Sequence, residues 1–331
     1  MIDIILSVSA VVLCFIITVL ALRKLIPVLV SKKIGQKILE IGPRWHMDKS
    51  GTPTMGGLSF ILSFTVSVIV FAVIGIFCER KIGLEVAGTA LFAVLNGLIG
   101  VIDDRTKFSK NRNEGLKAWQ KYLLQLILTA AYIAFLRLCG FCSTEMYIPF
   151  VGKTFELGFF WYIIMVLIVT GIINSVNLAD GIDGLASSET AIVAIFFIVS
   201  AVITKNYGLG LVSSLMLGCS AGFLVYNIYP ARVFMGDTGS LFLGALVVGC
   251  GVLMNNPVIT LIVGIMYVAE AVSDILQVGY FKLTHGKRLF KMAPIHHHFE
   301  KCGWSENKIV TVFSAVTLAA SVLALVFDVI L

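Results

Sequence analysis

Ten apolar runs divide this chain, at about 4–22, 58–77, 86–102, 122–139, 159–178, 185–204, 209–228, 241–255, 258–279 and 308–331. A helix needs about 20 apolar residues to cross the hydrocarbon core of a bilayer. Inside that core every backbone N–H and C=O must be paired within the chain, which leaves helices as the solution for separate runs of this length. The pattern therefore predicts an all-α, polytopic integral membrane protein with about ten transmembrane helices. Charge agrees: 13% of the 331 residues are Asp, Glu, Lys or Arg, against about 25% in soluble domains. The breaks carry turn chemistry or charge, as in ERKIG (79–83), TKNYG (204–208) and NNP (255–257). No internal repeat stands out, so 1–331 reads as a single integral membrane domain without the inverted-repeat signature of many transporters.

The first twenty residues, MIDIILSVSAVVLCFIITVL, have neither a basic n-region nor a small-residue cleavage site and read as a retained first helix. Of the seven cysteines only Cys139 and Cys142 form a C-x-x-C. A redox motif would need a βαβ context, so these read as two cysteines at a helix end.

Basic residues set the sidedness. Arg23, Lys24, Lys32, Lys33, Lys37, Arg44 and Lys49 lie in the linker 23–57, and Arg105, Lys107, Lys110, Arg112, Lys117 and Lys121 in 103–121. Arg232, Lys282, Lys287, Arg288, Lys291, Lys301 and Lys308 fall on the same side, giving twenty of the 25 Lys and Arg. The positive-inside rule makes that side cytoplasmic and puts both termini outside. The unusual polar clusters converge there too.

One cluster is NSVNLADGIDGLA (174–186), which follows the apolar run FFWYIIMVLIVTGII. A carboxylate at bilayer depth is costly, and partners or water must offset that cost. Glycines after Asp180 and Asp183 suggest a re-entrant turn where backbone approaches a ligand closely. A helix cap by Asp180 would explain one aspartate, but not both together with Asn174 and Asn177. Asp103 and Asp104 close the span ALFAVLNGLIGVI and open a basic loop, a layout suited to a phosphorylated substrate and its metal. Adjacent helical side chains diverge by about 100°, so both need not face one site, and a solvated helix end is the bland alternative.

In YNIYPARVFMGDTGS (226–240), glycines frame Asp237, and Thr238 and Ser240 add hydroxyls. Such a carboxylate site suits Mg²⁺ better than a His/Cys cage would. Phe234 could stack on a planar base, although packing is the commoner use of an aromatic. His296, His297 and His298 in MAPIHHHFEKCGWSE are consecutive, lack H-E-x-x-H and have basic surroundings, which favours phosphate over zinc. The loop GPRWHMDKSGTPTMGG (42–57) resembles a flexible phosphate- or nucleotide-contacting loop but fits no P-loop pattern. Glu270 and Asp274 share one helix face and either support the site or pair with buried residues.

Polar groups at span ends favour an enzyme over a transporter, and the absence of a zinc motif excludes a metalloprotease reading. A basic, Mg²⁺-compatible site at the inner leaflet suits joining a soluble phosphorylated donor to a lipid phosphate, a phosphoryl transfer driven by positioning and charge neutralisation.

At TPTMGG (52–57), Asp103-Asp104, NLADGIDGLA (177–186), FMGDTGSL (234–241) and MAPIHHHFEKCGWSE (292–306), the chain resembles the phospho-N-acetylmuramoyl-pentapeptide transferase family. That family lies within the polyprenyl-phosphate N-acetylhexosamine-1-phosphate transferase superfamily. The match is collinear over about residues 40–306 and includes a ten-helix layout. NLADGIDG and GDTGS mark the superfamily, while PIHHHFE and TPTMGG narrow it to the peptidoglycan branch.

The resemblance implies that UDP-MurNAc-pentapeptide and undecaprenyl phosphate give lipid I and UMP with Mg²⁺, in a bacterial cytoplasmic membrane, by a homodimer and without nucleic acid. The step would serve peptidoglycan synthesis, and with it cell shape and division. Residue by residue, it makes Asp237 a Mg²⁺ ligand and has Asp103 and Asp104 act on the polyprenyl phosphate, with Asp103 a candidate base. Asp183, with the backbone of Gly181 and Ile182, would read uracil while Phe234 stacks on it and Asn227 contributes. Lys49 and Thr54 would close over the nucleoside or diphosphate. Asn174, Asn177, Asp180, Lys107 and Lys121 would line the cleft, with His296, His297 and His298 beside it. Nearby positive charge is expected to keep the buried aspartates ionised. Direct attack by the lipid phosphate and a covalent aspartyl-phosphosugar intermediate are both open, with direct attack favoured. A sister transferase using UDP-GlcNAc and a membrane transporter are the alternatives.

Overall fold

The computed structural model describes residues 2–32, 34–35, 49, 51–73, 80–109 and 115–330. Loop residues 42–48 and the basic residues Lys33, Lys37, Arg44, Lys110 and Arg112, used above for sidedness, lie outside the described residues. The helices are α1 (Ile2–Ser31), α2 (Leu58–Val73), α3 (Arg80–Ser109), α4 (Ala118–Leu138), α5 (Phe159–Ala179), α6 (Leu185–Thr204), α7 (Tyr207–Asn227), α8 (Gly236–Leu253), α9 (Ile259–Val263), α10 (Ile265–Leu283), α11 (Ile295–Lys301) and α12 (Glu306–Leu325). As far as they lie within the described residues, the apolar runs fall on helices, the run 258–279 being divided between α9 and α10. Eight of the described helices are long and apolar enough to cross a membrane, and α2 is a shorter apolar helix. The chain is thus an all-α, multi-pass membrane protein.

One element was not expected. Between α4 and α5 a small antiparallel hairpin pairs β1 (Glu145–Ile148) with β2 (Lys153–Glu156), register Glu145↔Glu156 to Ile148↔Lys153. The segment does carry strand formers, Tyr147, Ile148, Thr154 and Phe155, but an all-helix reading of the long runs passes over so short a ribbon.

Burial runs from the centre outward. Every residue of α8 from Thr238 to Leu253 is buried, and α8 packs along α3 and α5 while α7 packs along α1 and α6. The outer faces expose Leu20, Ile69, Leu91, Ile127, Leu167 and Leu323, the distribution expected of a surface in contact with lipid rather than water. Several hydroxyls inside the spans are satisfied locally. Thr18 donates to Cys14 O (2.8 Å), Thr170 to Val166 O (2.8 Å) and Ser200 to Phe196 O (2.9 Å), the i−4 bond that spares a polar side chain an unpaired hydrogen in hydrocarbon.

Two boundaries matter for the site. The helix α3 continues to Ser109, so Asp103 and Asp104 sit inside it rather than at a solvated end, and both are 3% exposed. The helix α8 begins at Gly236, so GDTGS is its first turn rather than a loop. The two meet closely: a Cβ on Gly100 of α3 would stand 2.2 Å from Asp237 O, so only glycine lets the start of α8 reach the acidic turn of α3.

Candidate active site

The centre of the site is the junction of α3, α4, α5 and α8. Asp103, Asp104 and Asp237 each offer a carboxylate oxygen, and these atoms lie within 4.8 Å of one another. Divergent as adjacent helical side chains are, both aspartates of α3 reach Asp237, because α8 arrives end-on. Lys107, one turn further along α3, places Nζ 2.7 Å from Asp103 Oδ2, 3.5 Å from Asp104 Oδ1 and 2.9 Å from Asp237 Oδ2. Lys121 Nζ, from the first turn of α4, donates to the same Asp237 oxygen at 2.9 Å and to Asn177 Oδ1 at 3.3 Å. Asn177 Nδ2 in turn donates to Asp237 Oδ1 (2.9 Å) and Ser240 Oγ (2.7 Å). Two ammonium groups against three carboxylates leave negative charge uncompensated. Carboxylate oxygens that close together form the donor set a hard divalent cation takes, so these three residues could hold a metal.

Each aspartate is fixed by a different device. Leu116 N donates to Asp103 Oδ1 at 2.7 Å. Asp104 accepts from the first turn of α8: Asp237 N at 3.3 Å, Thr238 N at 3.0 Å and Thr238 Oγ1 at 2.7 Å. Asp237 lies in that same first turn, where the helix end favours negative charge.

A second group forms around the turn 180–184 joining α5 to α6. Lys49 Nζ bridges Asp183 Oδ1 (2.7 Å) and Glu306 Oε2 (2.6 Å). The same Glu306 oxygen accepts from Asp183 N at 3.1 Å, and Ala231 N donates to Asp183 Oδ2 at 2.8 Å. Asn227 links two turns, accepting from Gly184 N (3.0 Å) and donating to Val233 O (2.9 Å). Ile182 is buried with Leu185, Ile309 and Phe313. Asp180 ends α5 between the two groups. Burial, then the charges of Asp237, Asp104 and Asp183, hold its carboxyl well above the usual range. The expected ionised state is thus not what its surroundings favour, because its charged neighbours are carboxylates.

The sequence loop at 52–57 is less free than expected. Phe234 N donates to Pro53 O (2.8 Å), Gly56 N to Phe234 O (2.9 Å) and Gly57 N to Met235 O (3.0 Å). These bonds stitch TPTMGG to the segment leading into α8. Thr54 is buried and its Oγ1 lies 2.9 Å from where a Gly236 Cβ would stand. Phe234 is half-buried beside it.

Asn174, one turn before Asn177, is held by Gln125, donating to its Oε1 at 2.8 Å. The three histidines part ways. His296 meets Glu270 across a buried 3.0 Å contact, His297 pairs with Glu300, and His298 Nδ1 accepts from Lys291 N at 3.1 Å. No common metal is shared, and His297 and His298 are not drawn into the acidic cluster. At Gly181 a Cβ would stand 2.2 Å from His296 Nε2, so the bare glycine lets this imidazole close on the turn. Glu270 is a pairing residue.

Sequence reasoning passed over Gln125 and Glu306 as partners. Glu306 had a signal: Ser305 Oγ accepts from Lys308 N at 3.3 Å, a cap readable from the S-E-N-K start of an apolar run. Gln125, inside an apolar span, was itself the signal, since a buried amide there needs a partner.

Fold and site place the chain among membrane-embedded transferases, and residues 86–255 match the sequence model of glycosyl transferase family 4. Residues 49–61 match a signature described as phospho-N-acetylmuramoyl-pentapeptide-transferase signature 1. The chain is 46% identical over 314 residues to the phospho-N-acetylmuramoyl-pentapeptide-transferase of Clostridium novyi (strain NT), covering 95% of this chain and 94% of the relative. It is 44% identical over 322 residues to the enzyme of that name from Clostridium acetobutylicum, covering 95% and 96%. For that of Carboxydothermus hydrogenoformans the identity is 46% over 323 residues, covering 94% and 95%. The chain belongs to the phospho-N-acetylmuramoyl-pentapeptide-transferase family.

Proposed function

We propose that this chain transfers phospho-MurNAc-pentapeptide from UDP-MurNAc-pentapeptide to undecaprenyl phosphate, giving lipid I and UMP for peptidoglycan synthesis at the bacterial cytoplasmic membrane. The observation that carries this reading is Lys107 Nζ lying within 3.5 Å of all three carboxylates, an acidic site at helix ends whose charge is only partly compensated. Family membership supplies the substrates.

Asp237, with Asp103 and Asp104 beside it, would hold Mg²⁺, which when bound neutralises charge on the donor diphosphate. Lys107 and Lys121 are the ammonium groups placed to meet phosphate oxygens. Asp103, fixed by Leu116 N, is placed to take any proton carried by the lipid phosphate. A lipid phosphate oxygen then attacks the phosphorus that bears the sugar. The bond to UMP breaks, and UMP departs with the electron pair. Direct attack is favoured because a phosphate monoester is already nucleophilic near pH 7. Asn174 and Asn177 line the cleft with Asp180. Asp183, with Gly181 and Ile182, would read uracil with Phe234 stacked on it. Asn227 would hold the uracil-reading turn in place, and Lys49 and Thr54 would close over the nucleoside. The protein would work as a homodimer.

The test is UMP release by detergent-purified protein given undecaprenyl phosphate, Mg²⁺ and either UDP-MurNAc-pentapeptide or UDP-GlcNAc, with Asp237→Ala alongside. Release with the muramyl donor, abolished by EDTA and by the variant, supports the proposal. Release with UDP-GlcNAc alone would assign the sister reaction, and no release from folded protein would reopen the transporter alternative.

A further inference from the structure

Glu270 and His296 are buried together where α10 meets α11. Glu270 is 0% exposed and His296 1%. One carboxylate oxygen, Oε2, lies 3.0 Å from His296 Nδ1 and 3.3 Å from the backbone N of the same residue. A carboxylate oxygen accepting from the backbone N–H leaves the ring nitrogen beside it one useful role, that of a second donor, so the geometry fixes the proton on Nδ1. The other ring nitrogen, Nε2, is buried and has no hydrogen-bond partner among the described residues. It lies against Gly181, in the turn between Asp180 and Asp183.

The helix that carries Glu270 is tied to α6, while the other carboxylate oxygen, Oε1, is buried without a hydrogen-bond partner among the described residues. Tyr267, one turn before Glu270 on α10, shares a hydrogen bond with Thr190 Oγ1 at 2.8 Å and donates to Ala186 O at 3.4 Å, both on α6. The helix that starts directly after the turn 180–184 therefore anchors α10 one turn before Glu270. A buried nitrogen without a partner is costly, and such atoms in native structures mark places where a ligand or water completes the bonding.

We propose that Glu270 is a positioning residue for this transferase: it holds His296 with Nδ1 protonated and leaves Nε2 facing the turn 180–184 as the atom offered to the bound nucleotide-sugar donor. This rests on the proposed reading of His296 as a residue of the transfer site. The role goes through His296 alone, and Glu270 touches no substrate.

Three variants separate this from a packing role. In Glu270→Ala, kcat for UMP release falls about tenfold or more while donor KM stays within about twofold, as misplacement of a reacting group predicts. In Glu270→Gln most of the rate returns, because the amide oxygen accepts both hydrogens. His296→Asn keeps an amide N–H near Glu270 but lacks Nε2; its rate is equally low, and adding Glu270→Ala lowers it no further. Multiplying losses, or a Glu270→Ala deficit accounted for entirely by a lower folded fraction, would overturn the proposal.

A second readout needs no turnover. Nitrogen-15 spectra of histidine-labelled protein show His296 protonated at Nδ1 in the wild type and in Glu270→Gln, and a mixture of tautomers in Glu270→Ala. An Nε2–H tautomer in the wild type would overturn the proposal even in an active enzyme. Wild-type protein that shows the Nδ1–H signal but releases no UMP would instead refute the transfer reaction.

Discussion

Asp104 caps a helix that begins 132 residues later in the chain: its carboxylate accepts from Thr238 N at 3.0 Å and Thr238 Oγ1 at 2.7 Å, within the first turn of α8. The residue that would ordinarily cap this helix, Met235, offers no side-chain acceptor. Asp104 thereby ties the acidic turn of α3 to Asp237, the adjacent residue of α8. In Asp104→Ala the lost cap costs about 1–2 kcal/mol, seen as a lower thermal midpoint, and activity drops with it as Asp237 shifts. Asp104→Asn keeps an acceptor oxygen, stays as stable as wild type and loses less activity than Asp103→Asn. Equal losses in the two asparagine variants would give Asp104 a direct role at the phosphate.

Gly115 leaves room for Asp103. A Cβ there would stand 2.4 Å from Asp103 Oδ1, so Gly115→Ala must displace either the carboxylate or the chain that hydrogen-bonds it. Activity falls about tenfold or more, because reacting groups tolerate little misplacement, while the melting temperature changes little. Normal turnover would show that Asp103 has slack.

Lys107 shares the acidic pocket with any bound cation. Replacing it by glutamine leaves the three carboxylates less compensated, so Mn²⁺ used as a probe for Mg²⁺ binds about tenfold more tightly, a modest fraction of the Coulomb energy at such distances. UMP release falls at the same time, because one ammonium meant for the diphosphate is gone. Manganese titration by electron paramagnetic resonance reads the first effect independently of the second.

Glu306 holds Lys49 against Asp183, with Lys49 Nζ 2.6 Å from one carboxylate and 2.7 Å from the other. In Glu306→Gln an acceptor remains for Asp183 N, but the charge that restrains Lys49 is lost. If the donor must draw Lys49 away from Asp183, the apparent donor KM falls about fivefold, the equivalent of roughly 1 kcal/mol from a partly exposed pair. A raised KM would mean that Glu306 presents Lys49 to the donor.

Asp180 sets a pH dependence of stability. Its carboxyl titrates well above the ordinary 3.8 in the folded protein, from burial first and then from neighbouring carboxylates. Between those two values the folded state binds more protons than the unfolded one, so its contribution is full at pH below 3.8 and is lost as pH rises through the folded value. Asp180→Asn therefore raises the melting temperature at pH 7 in metal-free buffer, with the gain shrinking toward pH 4. An unchanged midpoint at pH 7 would show that the charge is compensated.

Much was legible in the chain alone. Long apolar runs dictate helices because hydrocarbon offers the backbone no other partner, and within the described residues the runs fall on helices. The acidic, asparagine and histidine motifs were legible too, because buried polar residues in so apolar a chain need a reason to be there. Helix limits were less so: Asp103 and Asp104 looked like a span end, since charge and apolar period give no sign that a helix continues through DDRTK into a buried site.

The sequence by itself determined the spans and the residue types that gather at one end of them, through the cost of burying polar groups in lipid. Only the tertiary structure decided which groups pair. Asp104 caps α8, Asp183 and Glu306 share Lys49, and Gly181 makes room for His296. Those choices depend on helix ends meeting across more than a hundred residues of chain, a relation that local periodicity does not encode.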